Sequence, residues 1–392
     1  MAGGLYQTVA QGAQNLFLNA SPEVTFFYAL YKRHSTFAIE SMENTFNGTV
    51  GFGNRITCQV SHNADLMWRT YLQVDVSSMT GSGSSHVAWA KNLGYTLIDK
   101  VEVEIGGQII DTHYGDYLSI KKELSTPVGH ISTLDNMIGN VVEMNDITSP
   151  STTSTPARRL YIPLEFWFCN NPGLALPLVA LPYQDVKINV TFKPVSQLYL
   201  GTPVAVPTIT ACSLYVDYIY LDVPERNRLA ESQLEYLIDQ VQQQSESITA
   251  STFRSRLSFN HPCHDMIWVV QPTANISAND WTNYTNAGGH TVSEAHLQLN
   301  GQDRMTKRPG EYFNLVQPFQ HYTNGPSVGI YAYSFALKPE SYEPSGSCNF
   351  SKIDNSNLVL SLTTSDATLR VYARNKNILR FRQGMSGIAY AS

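Results

Sequence analysis

Two stretches of the chain, about 200 residues apart, follow one plan. The first is Val101-Glu102-Val103-Glu104-Ile105-Gly106-Gly107-Gln108-Ile109-Ile110-Asp111, with Tyr114-Gly115-Asp116-Tyr117 close behind. The second is His296-Leu297-Gln298-Leu299-Asn300-Gly301-Gln302-Asp303, with Pro309-Gly310-Glu311-Tyr312-Phe313 close behind. In both, apolar and polar residues alternate with the period of a half-buried strand. The alternation stops at Gly-Gly or Asn-Gly, pairs that accept the two positive φ angles of a type I′ hairpin turn. A Gln then opens the return strand, and a Gly-acid-Tyr turn follows. A second pair of landmarks, Asp65-Leu66-Met67-Trp68 and Asp265-Met266-Ile267-Trp268, has nearly the same spacing. Together they predict a chain built from two copies of one β domain.

Composition narrows the class. Charged residues are only 15% of the 392, against roughly 25% in an average globular chain. Ser, Thr, Asn, Gln and Tyr take their place, which suits β structure whose surface is largely covered by other subunits. The net charge of −6 gives no electrostatic case for wrapping nucleic acid. No basic residue precedes Lys32, so no signal peptide is expected. No run reaches the ~18 apolar residues of a membrane span. Ala2 follows Met1, so the N-myristoylation pattern is absent. The cysteines, Cys58, Cys169, Cys212, Cys263 and Cys348, are odd in number and scattered. They read as free, mostly buried thiols in a reducing compartment.

In chain order, residues 1–24 read as an arm with one short helical stretch, too small to fold alone. From Phe37 to Asp222 strand signals dominate, except in residues 119–159, which end in Ser149-Pro150-Ser151-Thr152-Thr153-Ser154-Thr155-Pro156. That length without strands reads as an exposed or functional loop. Gly81-Ser82-Gly83-Ser84-Ser85 is a flexible loop, with no Lys-Ser/Thr to make it a phosphate loop. A linker is expected over 223–245, opening on a short helix at Val223-Pro224-Glu225-Arg226. Strands then return to the end, the last from Ala367 to Phe381 with a break near Asn375. The predicted division is an arm at 1–24, a first β domain at 25–222, the linker, and a second β domain at 246–392. Many short strands separated by turn signals indicate sandwiches or barrels.

Several motifs resemble the major capsid proteins of large eukaryotic DNA viruses. Phe166-Trp167-Phe168-Cys169-Asn170-Asn171-Pro172-Gly173-Leu174-Ala175-Leu176-Pro177-Leu178 is one. Tyr333-Ser334-Phe335-Ala336-Leu337-Lys338-Pro339-Glu340, running on to Cys348-Asn349-Phe350-Ser351-Lys352-Ile353-Asp354, is another. The opening Met1-Ala2-Gly3-Gly4-Leu5, Phe37-Ala38-Ile39-Glu40-Ser41, Gly51-Phe52-Gly53-Asn54 and the ending Met385-Ser386-Gly387-Ile388-Ala389-Tyr390 resemble the algal-virus and iridovirus-like branch. The resemblance covers nearly the whole chain, which is short for the family. It implies an all-β protein of two consecutive eight-stranded antiparallel jelly rolls, with an N-terminal arm and a helical linker. It also implies a structural role in the virion. A homotrimer of six similar barrels would tile an icosahedral shell as a pseudo-hexagonal capsomer, made and assembled in the host cytoplasm. The implied partners are neighbouring capsomers, minor capsid and penton proteins, and proteins of an inner membrane reached by the arm, with no direct nucleic-acid contact. Residues 119–159 are the implied outward loop of the first barrel, and residues 313–330 part of its counterpart in the second. Trp68, Trp167 and Trp268, each in an apolar stretch, are expected core anchors.

Candidate chemistry is sparse, and no catalytic, cofactor or metal residue is assigned. Glu102 and Glu104 share one side of a strand, as the acid and nucleophile of some jelly-roll glycoside hydrolases do. That supports the rival reading, a carbohydrate-binding or glycan-hydrolysing β-sandwich. The second copy has His296 and Gln298 there, as a polar face of a repeat would. His261-Pro262-Cys263-His264 lacks further ligands at metal spacing. No Gly-x-Ser-x-Gly elbow is present. Arg374, Lys376, Arg380 and Arg382 read as a strand end or a subunit contact. Of the sequons at Asn19, Asn47, Asn189, Asn275, Asn283 and Asn349, Asn275 and Asn283 lie in a loop-like stretch and are the candidate glycosylation sites.

Overall fold

The computed structural model describes residues 3–83, 85–147 and 153–390. Ser149, Pro150, Ser151 and Thr152 of the Ser/Thr-rich stretch, Ser84 of the glycine-serine loop, and Met1 and Ala2 of the opening motif lie outside the described residues. The chain forms two compact units, one ending at Thr36 and one running from Phe37. In the first unit, helices α1 (Gly3–Val9) and α2 (Leu16–Asn19) are separated by an irregular segment and a short 3-10 turn, so the expected single helical stretch is broken. None of its described residues is buried.

The second unit holds two sandwiches of one topology. In the first, β1 (Phe37–Thr45), β2 (Arg55–Gln59), β3 (Leu66–Val76), β4 (Ile98–Ile105), β5 (Gln108–Tyr114), β6 (Arg158–Pro163), β7 (Val186–Phe192) and β8 (Ile209–Leu221) follow in sequence. They pair as one sheet of order β1-β8-β3-β6 and another of order β2-β7-β4-β5, all antiparallel. The second sandwich uses β9 (Leu234–Ile248), β10 (Thr252–Leu257), β11 (Pro262–Pro272), β12 (Val292–Leu299), a return strand in two pieces β13 (Gln302–Asp303) and β14 (Arg308–Pro309), then β15 (Ile330–Ser334), β16 (Ser356–Leu362) and β17 (Ala367–Arg382). Its sheets run β9-β17-β11-β15 and β10-β16-β12 with β13 and β14. Counting β13 and β14 as one strand, the orders match position for position. This alternation of strands between two facing sheets is the jelly roll.

The repeated hairpins are β4–β5 and β12–β13. Gly106 and Gly107 have φ of 57° and 85°, and Asn300 and Gly301 have φ of 50° and 81°. Both central residues are left-handed, as a type I′ turn requires. The Gly-acid-Tyr turn repeats in detail as well. A Cβ on Gly115 would lie 2.2 Å from the carbonyl oxygens of Tyr95 and Ile98, and one on Gly310 would lie 2.1 Å from that of Val292. In each half the chain leaves its hairpin by pressing bare backbone against the start of the preceding strand.

Four further expectations need correction. Residues 119–159 are not an open loop. Helix α3 (Gly115–Ser125) buries Tyr117, Leu118, Ile120 and Leu124, and α4 (Val128–Ile138) follows it. The linker is shorter than 223–245: α5 (Val223–Glu231), capped by the Asp222 carboxylate, is followed at Leu234 by the first strand of the second sandwich. The last long strand does not break at Asn375, whose side chain hydrogen-bonds Gln240 and Gln242 of the neighbouring strand. Lastly, Trp167 and Trp268 are buried core residues, but Trp68 is only partly buried, beneath the Arg69 guanidinium at 4.3 Å. Met67 is the neighbour that points inward. The Asp-x-x-Trp match is therefore a likeness of letters across a one-residue difference in pleat, which turns a side chain to the opposite face.

Candidate assembly surfaces

Strand β11 is buried along nearly its whole length. Met266, Trp268 and Val270 point into the core of the second sandwich, while Ile267 and Val269 join the cluster that fills the first. Tyr372, Ile330 and Ala332 of adjacent strands join them there. The outer face of the sheet β9-β17-β11-β15 is thus sealed by the first sandwich, largely by α3. The Tyr117 ring stands 5.5 Å from Tyr372. Burying several large side chains at ~1.5–3 kcal/mol each makes this a core shared by the two halves, stronger than an ordinary domain contact.

Charges within the seam are paired. Asp265, fully buried, accepts from the Arg374 guanidinium, with Nε–Oδ1 at 2.8 Å, and from the Tyr322 hydroxyl. Burial raises the Asp265 carboxyl, but Arg374 and the neighbouring donors outweigh it and hold it below its ordinary range. Burial likewise opposes charge on Asp116, and Lys193 at 3.0 Å with Arg370 at 3.5 Å reverses the sign. Asp116 belongs to the Gly-acid-Tyr turn of the first half and Arg370 to β17 of the second, so this ion pair joins the halves. Lys193 also lies 4.0 Å over the ring of Trp281, whose Nε1 donates to the Gln197 carbonyl. At the other rim, Gln240 donates to the Ile110 carbonyl and the Val241 amide donates to Asp111. A cleft of about 880 Å³ opens along the seam, lined by Tyr117, Lys121, Glu165, Trp167, Asp239 and Arg374 among others.

The other candidate residues are dispersed. Glu102 is ion-paired with Arg55 at 2.9 Å and Lys100 at 2.6 Å, and Glu104 accepts from Asn189. Both carboxylates are occupied by neighbours on the outer side of the sheet β2-β7-β4-β5. Cys263 points into the second core, while His264 faces the other way and is pushed down to about 4 by burial. Adjacent residues on a strand face opposite ways and do not converge on one ion. Arg374 is the seam residue described above. Lys376 pairs with Asp239 at 2.7 Å, and Arg380 with Glu235 at 2.8 Å, across the β9–β17 ladder. All five cysteines are free, with Cys58, Cys169 and Cys263 buried. Asn275 and Asn283 lie on the connection between β11 and β12. The Asn275 amide donates to the carbonyls of Asn283 and Thr285, and the Asn283 amide donates to Asp280. Among the described residues, no helix is long and apolar enough to cross a membrane.

Of the seam residues, Arg370 is absent from the sequence reading, and Asp116, Asp265 and Arg374 appear there only as parts of a turn, a repeated strand motif and a basic segment, not as partners of one another. Their signal is present in retrospect: Asp265 heads an apolar run, and Arg370 and Arg374 interrupt another. A charge inside an apolar strand asks for a partner.

Comparison with known proteins agrees with this geometry. Residues 25–222 match the family model for the major capsid protein N-terminus, and residues 225–387 match that for the large eukaryotic DNA virus major capsid protein. The chain is 42% identical to the major capsid protein of Pyramimonas orientalis virus and 36% identical to that of Phaeocystis pouchetii virus, in each case over all of both chains. Among solved structures, it matches a chain of the PBCV-1 virus capsid at a TM-score of 0.81 and 34% identity, covering 94% of this chain and 100% of that one. The two tandem sandwiches are those of a double jelly-roll capsid protein. The chain belongs to the major capsid proteins of large eukaryotic DNA viruses. Its role is structural, in the shell of the virion, and it is not an enzyme.

Proposed function

We propose that three copies form a homotrimeric capsomer of pseudo-hexagonal outline, and that capsomers tile an icosahedral shell. The observation that carries this is the match of strand order between two sandwiches held side by side by one buried seam. Three such chains bring six similar barrels into a ring, and closed cyclic symmetry is the ordinary end point for identical subunits. Assembly takes place in the host cytoplasm. Penton and minor capsid proteins, and proteins of an inner membrane, are the further partners, the last reached by the arm through Leu16, Phe17 and Leu18, all widely exposed. The working division is an arm, a first barrel ending at Asp222, the α5 connection, and a second barrel whose first strand begins at Leu234. Light scattering across a dilution series should show a stable species near three times the 43.6 kDa chain, with hexagonal particles in images. A strict monomer, with virion capsomers of any other copy number, would overturn the reading.

Asn275 and Asn283 stay the proposed glycan acceptors. Each amide nitrogen is engaged in the fold, so a sugar there must replace those bonds. Intact-mass measurement of virion-derived protein should show added hexose mass that is lost in Asn275→Gln or Asn283→Gln. The bare chain mass would reject it.

A further inference from the structure

Two of the five free cysteines stand opposite each other. A two-residue strand, Cys348–Asn349, adds to the start of β11, with Asn349 facing Pro262 and Cys348 facing Cys263. The Phe350 amide donates to the His261 carbonyl at 3.1 Å and fixes that register. Both thiols turn to the core of the second sandwich, Cys263 within it and Cys348 packed against it. Directly opposed residues of an antiparallel pair have Cα atoms about 4.5–5.5 Å apart, inside the ~4.4–6.8 Å span of a disulfide. Cys58 and Cys212 lack this geometry. They lie on β2 and β8, in facing sheets, and such sheets stack about 10 Å apart. The Cys263–Cys348 pair also sits at the foot of a loop. Residues 335–347 leave β15 and return through Cys348. The Leu337 amide donates to the Ser345 carbonyl at 3.2 Å, closing the neck, and Pro339, Glu340 and Tyr342 line the seam cleft. The return leg joins the sheet through a ladder only two residues long.

We propose that Cys263 and Cys348 form a redox switch: two thiols while the chain is made in a reducing compartment, and one disulfide, stapling the loop to β11, once the virion meets oxidising surroundings. The reaction is exchange with a small-molecule disulfide, RSSR. The Cys348 thiol gives its proton to solvent, and its thiolate attacks one sulfur of RSSR. A mixed disulfide forms and RS⁻ leaves, taking up a proton. The Cys263 thiolate then attacks the Cys348 sulfur, the bond between the two cysteines closes, and the second RSH departs. Two protein thiols are oxidised and one RSSR is reduced to two RSH. The order follows from access: Cys348 is partly exposed, and Cys263 is fully buried. Burial pushes both thiols up, while the Arg304 guanidinium draws Cys348 part of the way back. None of this depends on the number of chains in a capsomer.

The test uses the full-length chain, purified reduced and then exposed to oxidised glutathione. Peptide mapping without reductant should find Cys263 joined to Cys348, with the intact mass lower by two hydrogens. The unfolding temperature should rise by about 3–8 °C and fall back on reduction. Cys348→Ser should keep the unfolding temperature of the reduced wild type and gain nothing from the oxidant. Cys263→Ala, which keeps the core apolar, should stop at the mixed disulfide, with one glutathione on Cys348. Purified virions, alkylated as they are opened, should carry the same bond, while Cys58, Cys169 and Cys212 take the label once unfolded. A wild-type chain that keeps its thiols, holds glutathione without closing the bond, or links another pair overturns the inference. Equal stabilisation of Cys348→Ser, or free Cys263 and Cys348 in virions, overturns it as well.

Discussion

Asp265 shows what a single buried charge commits the molecule to. With Arg374 across the ladder and Tyr322 above, it is satisfied on every side. Such a pair is costly to halve and far less costly to remove whole. Asp265→Asn should therefore destabilise the chain by about 3–5 kcal/mol, because it leaves the Arg374 guanidinium buried without a counter-charge. The double variant Asp265→Leu with Arg374→Met should recover most of that loss. Denaturant unfolding of the three proteins checks the order, and a single variant within about 1 kcal/mol of wild type would show that water reaches the pair. The sign of the acid response follows too. Asp265 titrates below its ordinary 3.8 in the fold. Its contribution is complete above that pH and fades as pH falls through the lower folded value. The double variant should lose this part of the acid sensitivity.

At the scale of elements, the paired hairpins were legible because their chemistry is local. Asn300-Gly301 and Gly106-Gly107 state their backbone angles in two letters. The glycines that follow give a sharper test. Gly115→Ala and Gly310→Ala drive a methyl into a strand carbonyl and should each cost at least about 1–3 kcal/mol. Gly129→Ala, in α4 with open space around it, should instead gain up to about 1 kcal/mol from helix propensity. Comparing their melting temperatures separates close approach from the general effect of replacing glycine. Other elements were hidden for physical reasons. Helix α3 carries Lys121 and Lys122 on a segment that is otherwise buried. Their partners Glu165 and Asp135 lie elsewhere in the chain, so the segment reads as polar loop. Asn375 reads as a break because the Gln residues that satisfy it are over 130 positions away. Trp68 reads as core because a tryptophan match outweighs parity when no pleat is visible.

At the scale of the whole molecule, the fold was accessible to sequence and the seam was not. Alternation, turns and the long motifs at Phe166–Leu178 and Tyr333–Asp354 specify two jelly rolls. Nothing local says which face of which sheet meets the other half, since that depends on side chains brought together from strands far apart. Parts built to one plan invite the thought that they are interchangeable, as bricks are. Strand β11 forbids the exchange. It is a party wall, furnished on both sides, with Trp268 serving one room and Ile267 the other. A chain carrying two copies of its own first half would offer Tyr71 and Tyr215 where the seam needs Ile267 and Tyr372, and Tyr114 and Tyr117 would find no matching floor. The duplication is legible in the strand order, but its halves have become a lock and its key, and each can change only in step with the surface it touches.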